Sequence, residues 1–261
     1  MKVTALHIYP IKSLGGISLE SAEITPIGFT YDRYWMLVDE HGKAITQRDY
    51  PILALFQLKL SEDFVHIKFK DQELKIPKVI ETSEEEIECT VWGKSVIANK
   101  ELFQKSDWFS DLLKAKVQLV RKSKQPKRLV KDHPDAFVNF PDSNQYLILG
   151  EESLANLNAK LSSPVPMNRF RPNIVFSGGT AHLEDQWTNI QVGESVFEVT
   201  KACARCNLTT INQETAEVGI EPLRTLAQYR RFDRKILFGQ YLKVLKKGDG
   251  IIKLGDAVYG D

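Results

Sequence analysis

The stretch Ile87-Glu88-Cys89-Thr90-Val91-Trp92-Gly93-Lys94-Ser95-Val96-Ile97-Ala98 decides the class of fold. Residues 87–92 and 95–98 are short runs of strand-forming side chains, and Gly93-Lys94 between them has the chemistry of a tight turn. The segment reads as a β-hairpin. The same pattern recurs towards the N-terminus. Residues 55–60 and 65–69 flank the polar Ser61-Glu62-Asp63, and residues 33–38 and 44–47 flank a turn containing Gly42. Residues 3–9 and 18–24 read as strands ended by Pro10 and Pro26. Short strands at this spacing predict a barrel or a strongly curled sheet in the first hundred residues.

Towards the C-terminus the pattern changes. Residues 101–115 predict a helix, with Leu102, Phe103, Trp108, Phe109, Leu112 and Leu113 on one face, followed by a strand at 117–120. The basic, proline-containing stretch 122–141 reads as a linker, which puts a boundary near residue 120 and two domains at 1–120 and 121–261. Beyond it come a helix at 151–161, strands at 173–176, 189–192, 196–200, 238–245 and 251–254, and a helix from Glu221-Pro222-Leu223 to about residue 230. The class is therefore α+β and strand-rich.

Composition narrows the function. Thirty-five Lys and Arg against 34 Asp and Glu give a net charge of +1, so the chain lacks the basic excess of a nucleic-acid binder. The run Arg121-Lys122-Ser123-Lys124-Gln125-Pro126-Lys127-Arg128 is a local basic patch that a solvated loop would equally explain. No charged head followed by an apolar stretch opens the chain, and no apolar run approaches the ~20 residues of a spanning helix. Three cysteines are too few for a disulfide framework, which fits a reducing cytoplasm and no membrane.

The signatures of phosphate loops, dinucleotide folds and serine hydrolases are absent, and the five histidines are scattered. The one concentrated signal is Lys201-Ala202-Cys203-Ala204-Arg205-Cys206-Asn207-Leu208-Thr209-Thr210. Cysteines at this spacing fit half a zinc site, a redox dithiol, or one thiolate on a metal whose other ligands come from a cofactor. Two small buried hydrophobes would look the same. Arg205 is placed to favour a Cys206 thiolate. Elsewhere, Tyr9-Pro10-Ile11-Lys12-Ser13, Asp32-Arg33-Tyr34-Trp35 and Asn168-Arg169-Phe170-Arg171-Pro172-Asn173 set Lys, Arg, Ser and Asn beside strands. These side chains suit an anionic ligand with phosphate and heterocycle edges.

Together with Tyr146-Leu147-Ile148-Leu149, Glu221-Pro222-Leu223-Arg224-Thr225-Leu226, Phe238-Gly239-Gln240-Tyr241 and Gly255-Asp256-Ala257-Val258-Tyr259, these segments resemble the MOSC family. The similarity is greatest to the amidoxime-reducing components and their bacterial relatives. The resemblance implies an N-terminal β-barrel-like domain, a C-terminal MOSC β-barrel domain with a few helices, and a molybdenum cofactor (Mo-molybdopterin) held between them. By position, Cys206 is the implied metal ligand and catalytic residue. Lys12, Ser13, Arg33, Ser143, Asn144, Arg171, Asn173, Ala204, Arg205 and Tyr241 fall at implied cofactor contacts. The implied activity is reduction of small N-hydroxylated compounds (amidoximes, hydroxylamines, N-hydroxy purines) by oxygen-atom removal.

The chain departs from the pattern at its ends. It starts directly at a strand, without the membrane anchor of mitochondrial relatives, and no cysteine cluster follows Cys206. A separate electron donor, ferredoxin-like or cytochrome b5-like, with its reductase is therefore expected. The competing expectation is a sulfur-carrier or cofactor-handling module that uses a cysteine persulfide. A cofactor-free thiol redox protein ranks third.

Overall fold

The computed structural model describes residues 1–79, 85–101, 107–123, 128–131 and 133–261. Strands dominate it, with three short α-helices among the described residues, so the strand-rich α+β class holds. Its backbone is a nine-stranded sheet. Across that sheet lie Ile17–Leu19, Lys2–Ile8, Ile174–Ser177, Tyr146–Gly150, Lys235–Lys246, Ser195–Ala204, Asn189–Val192 and Val258–Gly260, with Arg231–Phe232 paired onto Lys235–Lys246. Neighbours are antiparallel except Tyr146–Gly150 and Ile174–Ser177, which run parallel. Every residue of Tyr146–Gly150 is buried, as a strand covered on both faces requires. Ser195–Ala204 slips register three times against Lys235–Lys246, and such bulges bend a strand and re-aim the chain that leaves its end. Cys206 lies just past that end.

The first strand, Lys2–Ile8, belongs to this large sheet through its pairing with Ile174–Ser177. The chain then crosses to a second body. There Trp35–Asp39, Val117–Lys122, Lys94–Lys100 and Glu86–Val91 form a four-stranded sheet, and Gln57–Leu60, Phe64–Phe69 and Gln72–Pro77 a three-stranded one. Phe64–Phe69 alternates buried Val65, Ile67 and Phe69 with outward residues, as a sheet covered on one face does. Leu6, Ile148, Phe176 and Phe197 centre one core, and Trp35, Phe56 and Phe109 another.

Several local expectations shift. The hairpin at 87–98 forms, but Val91 pairs with Lys94, so the two-residue loop is Trp92-Gly93. Residues 44–47 do not form a strand beyond a single bridge from Val38 to Ala44. Asp49 accepts hydrogen bonds from the Thr46 backbone and hydroxyl, and this pulls the chain into a turn. Trp35–Asp39 pairs instead with Val117–Lys122, a strand that contains residue 120. The helix expected at 101–115 is Trp108–Leu113; Glu101 is not helical, and residues 102–106 lie outside the described residues. The helices expected at 151–161 and from 221 to about 230 are Glu151–Asn158 and Leu223–Tyr229. The stretch read as a linker contains a strand pair, Arg128–Val130 with His133–Val138. Of the basic run, Arg121 turns to the buried Glu101 carboxylate and Arg128 donates to the Pro141 carbonyl; residues 124–127 lie outside the described residues.

Candidate functional site

The site is built from strand ends. Lys12 and Ser13 follow Lys2–Ile8, and Arg33 precedes Trp35–Asp39. Ser143 and Asn144 precede Tyr146–Gly150, Arg171 and Asn173 precede Ile174–Ser177, and Ala204, Arg205 and Cys206 end or follow Ser195–Ala204. Together with Tyr241, all eleven line one cleft of about 770 Å3, its open mouth included.

At its inner end, the Arg33 and Arg171 guanidiniums both stack on the Tyr9 ring, 4.2 and 4.1 Å from its centroid. Asp32 accepts from the Tyr9 backbone N–H at 2.8 Å and from Arg33 Nη1 at 2.5 Å. The Tyr9 hydroxyl donates to the Pro172 carbonyl at 3.0 Å, and burial pushes its pKa up to about 12, so it stays a neutral donor. Burial lowers Arg171 to about 10, which still leaves it cationic at neutral pH. Ser13, Arg33 and Arg171 have φ of +68°, +44° and +53°. Left-handed backbone costs a non-glycine residue roughly 1–2 kcal/mol, and such strain concentrates at functional sites.

Lys12 is buried, donates to the Phe140 carbonyl at 2.9 Å and pairs with Asp142. Burial alone would raise the Asp142 pKa, but the Lys12 charge and hydrogen bond and a Trp92 hydrogen bond hold it well below the carboxylate range. Asn173 is committed to the fold: it donates to the His7 carbonyl and accepts from the Leu147 N–H and Arg33 Nη1. Ser143 donates to Asn144, which donates to Thr200, whose hydroxyl donates to the Tyr241 carbonyl.

The two cysteines differ. Cys203 is 2% exposed, and burial pushes its thiol up. Cys206 is half-buried, and its carbonyl accepts from the Thr209 backbone at 3.1 Å and hydroxyl at 2.9 Å. Arg169 braces that turn by donating to the Thr209 and Glu221 carbonyls. Arg205, expected to favour a Cys206 thiolate, makes its hydrogen bonds elsewhere. Arg205 donates to the Phe238 and Phe170 carbonyls, and the cation at Cys206 Sγ is Arg48, with Nη1 at 3.9 Å. Sequence reasoning missed Arg48 and Asp142; Arg169 lies in a segment read as suited to an anion but was not assigned a role. Arg48 lies next to the segment read as a strand, where no spacing points at Cys206.

The cleft has the donor set of an anion site. Arg171 is only 8% exposed and lines the cleft with its guanidinium stacked on Tyr9. Arg205 Nη2 is buried without a partner. Buried donors left this way are costly unless a ligand completes them. Among the described residues, no three His, Cys, Asp or Glu converge as a metal cage, so a metal beside Cys206 needs ligands from outside the chain. Cations and a thiol lining one cleft fit a cofactor that carries both phosphate and metal.

Residues 1–116 match the MOSC N-terminal beta barrel domain, and residues 135–259 match the MOSC domain. The chain belongs to the MOSC family. Human mitochondrial amidoxime-reducing component 1 is 33% identical to it, over 98% of this chain and 82% of the relative. Mitochondrial amidoxime reducing component 2 of Bos taurus is likewise 33% identical over 98% and 82%. Molybdenum cofactor sulfurase of Oryza sativa subsp. japonica is 33% identical over 90% of this chain but 31% of the relative. Among the described residues, no helix is long and apolar enough to cross a membrane.

Proposed function

We propose that the chain binds a molybdenum–pterin cofactor in this cleft and uses it to reduce N-hydroxylated compounds. Cys206 is the protein's ligand to the metal. Arg171 and Arg205 hold the anionic part, and Lys12, Ser13, Ser143, Asn144, Ala204 and Tyr241 shape the cradle. Arg33 and Asn173 act mainly by fixing each other and Tyr9. The observation that carries this reading is the buried, partnerless Arg205 Nη2, with Arg171 beside the Tyr9 ring, in the same cleft as the Cys206 thiol. When bound, the cofactor supplies two-electron chemistry that accepts the substrate's oxygen atom. The balance is R–NHOH + 2 H+ + 2 e− → R–NH2 + H2O, with electrons from a separate ferredoxin-like or cytochrome b5-like donor and its reductase. The protein's part is orientation and electrostatics. Of the cleft's lining, Lys12, Ser13 and Arg33 come from the proposed domain 1–120 and the other residues from 121–261.

A sulfur carrier using a Cys203–Cys206 persulfide is the weaker reading, because Cys203 is buried and its thiol pushed up. Purified protein assayed for molybdenum, pterin and persulfide separates the two. The reductase reading expects molybdenum with pterin, turnover with reduced viologen and none with NADH alone. Persulfide without molybdenum overturns it.

A further inference from the structure

The hairpin Glu86–Val91/Lys94–Lys100 turns on Trp92 and Gly93, whose φ angles are +53° and +71°. Positive φ at both central residues makes this the kind of turn that takes Asn or Asp before Gly. A bulky aromatic there is an outlier and a pointer to function. Trp92 is also 59% exposed, while Trp35, Trp108 and Trp187 are buried. Folding drives an indole inward; this one is held at the surface.

What holds it is the cleft mouth. The Arg48 guanidinium stacks on the Trp92 ring, 4.1 Å from its centroid, and the Trp92 side chain helps to hold the Asp142 pKa down. Arg48 is tethered from behind, donating through its backbone N–H and Nε to the Thr46 hydroxyl, both at 3.2 Å. Among the described residues no carboxylate forms an ion pair with it within 4 Å, although its charge helps to hold the Asp142 pKa down. Its Nη1 is the group 3.9 Å from Cys206 Sγ. One guanidinium thus spans from an exposed aromatic face to the proposed metal-ligating sulfur. Neighbouring Gln47 ties the loop down by reciprocal amide bonds with Gln213, at 3.1 and 2.9 Å.

Resting on the reductase reading, we propose that Trp92 and Arg48 form the substrate platform and select flat, conjugated N-hydroxylated compounds over aliphatic hydroxylamines. The open indole surface stacks the planar π-system. Arg48, whose edge carries free N–H groups, hydrogen-bonds the N–O oxygen and keeps that end beside Cys206. Flat guests gain from both contacts, and an aliphatic hydroxylamine gains only from the second.

The test compares benzamidoxime with N-hydroxycyclohexylamine on molybdenum-loaded wild type, Trp92→Ala, Trp92→Phe and Arg48→Met. Stacking losses on alanine substitution correspond to about tenfold or more. Trp92→Ala should raise KM for benzamidoxime about tenfold and move the aliphatic substrate less than about twofold. Trp92→Phe keeps an aromatic ring, so it should retain the preference. Arg48→Met should impair both substrates with molybdenum content unchanged. A second readout needs no turnover: the exposed Trp92 dominates iodide quenching of fluorescence, and benzamidoxime should protect wild type and leave Trp92→Ala unaltered. Equal losses on both substrates in Trp92→Ala, unprotected wild type, or molybdenum lost in Arg48→Met would overturn the platform. Protection in a wild-type protein that reduces neither compound would keep the platform and overturn the reductase reading.

Discussion

The two ends of the cleft are built on different principles. At the inner end, Tyr9, Asp32, Arg33 and Asn173 hold one another through stacking, hydrogen bonds and an ion pair, and the chain accepts left-handed backbone at Arg33 and Arg171 to place them. At the mouth, Cys206, Arg48 and Trp92 meet from separate segments, partly exposed, through one stacking contact and one long N–H···S contact. A resident cofactor rewards rigidity, because its binding groups never exchange. A substrate that comes and goes needs an open face and a donor not already spent.

The sharpest break between the ends comes from the cysteines. Cys206→Ala should lower N-hydroxy reduction at least a hundredfold, while Cys203→Ala keeps most of it, measured with reduced viologen at matched protein concentration. Losing a small buried sulfur costs about 1–2 kcal/mol, so both variants should fold. Dependence on Cys203 alone would reverse the assignment.

Next in size is the inner end. Arg171→Ala removes charge-assisted hydrogen bonds of about 1.5–3 kcal/mol, so molybdenum per chain should drop tenfold or more. Because among the described residues Arg171 forms no ion pair and its fold contact is the stack on Tyr9, the cofactor-free variant should melt only slightly lower than cofactor-free wild type. Normal loading would place the cofactor elsewhere, and a large fall in melting temperature would make Arg171 a structural residue.

A third effect concerns pH. Asp142 has its pKa depressed in the folded protein relative to its ordinary 3.8. Its stabilising contribution is therefore complete above about pH 4 and is lost as pH falls further, through the folded value. Asp142→Asn should lower the melting temperature at pH 7 and pH 5 alike, with the gap to wild type closing only below about pH 4. A gap that closes between pH 7 and 5 contradicts the Lys12–Asp142 pairing.

How much of this the sequence carries depends on the kind of contact. The hairpin at 87–98 and the strand at 189–192 were legible because local alternation and turn residues set them. Residues 44–47 misled because their alternation is apolar enough for a strand, while Asp49, three residues on from Thr46, captures it. The linker at 122–141 misled because basic residues and proline do not reveal that Arg128–Val130 pairs with His133–Val138 or that Arg128 turns to the Pro141 carbonyl. Every residue of the sequence-derived site lines one cleft, since strand-end motifs converge once the strands pair. Arg48 was invisible: its contact with Cys206 joins residues 158 positions apart.

The smallest effect separates stability from function at the mouth. Trp92→Asn relieves a left-handed aromatic worth about 1 kcal/mol and should raise the melting temperature by roughly 2–4 °C while weakening benzamidoxime binding. A fall in melting temperature would mean that the indole supports the hairpin.

The central claim is that Cys206 is the protein's sulfur on molybdenum. X-ray absorption at the molybdenum edge counts sulfur ligands directly. Purified wild type and Cys203→Ala should give the same count, and Cys206→Ser should show one sulfur fewer, replaced by a lighter atom. An unchanged sulfur count in Cys206→Ser, or wild-type protein that takes up no molybdenum, would contradict it.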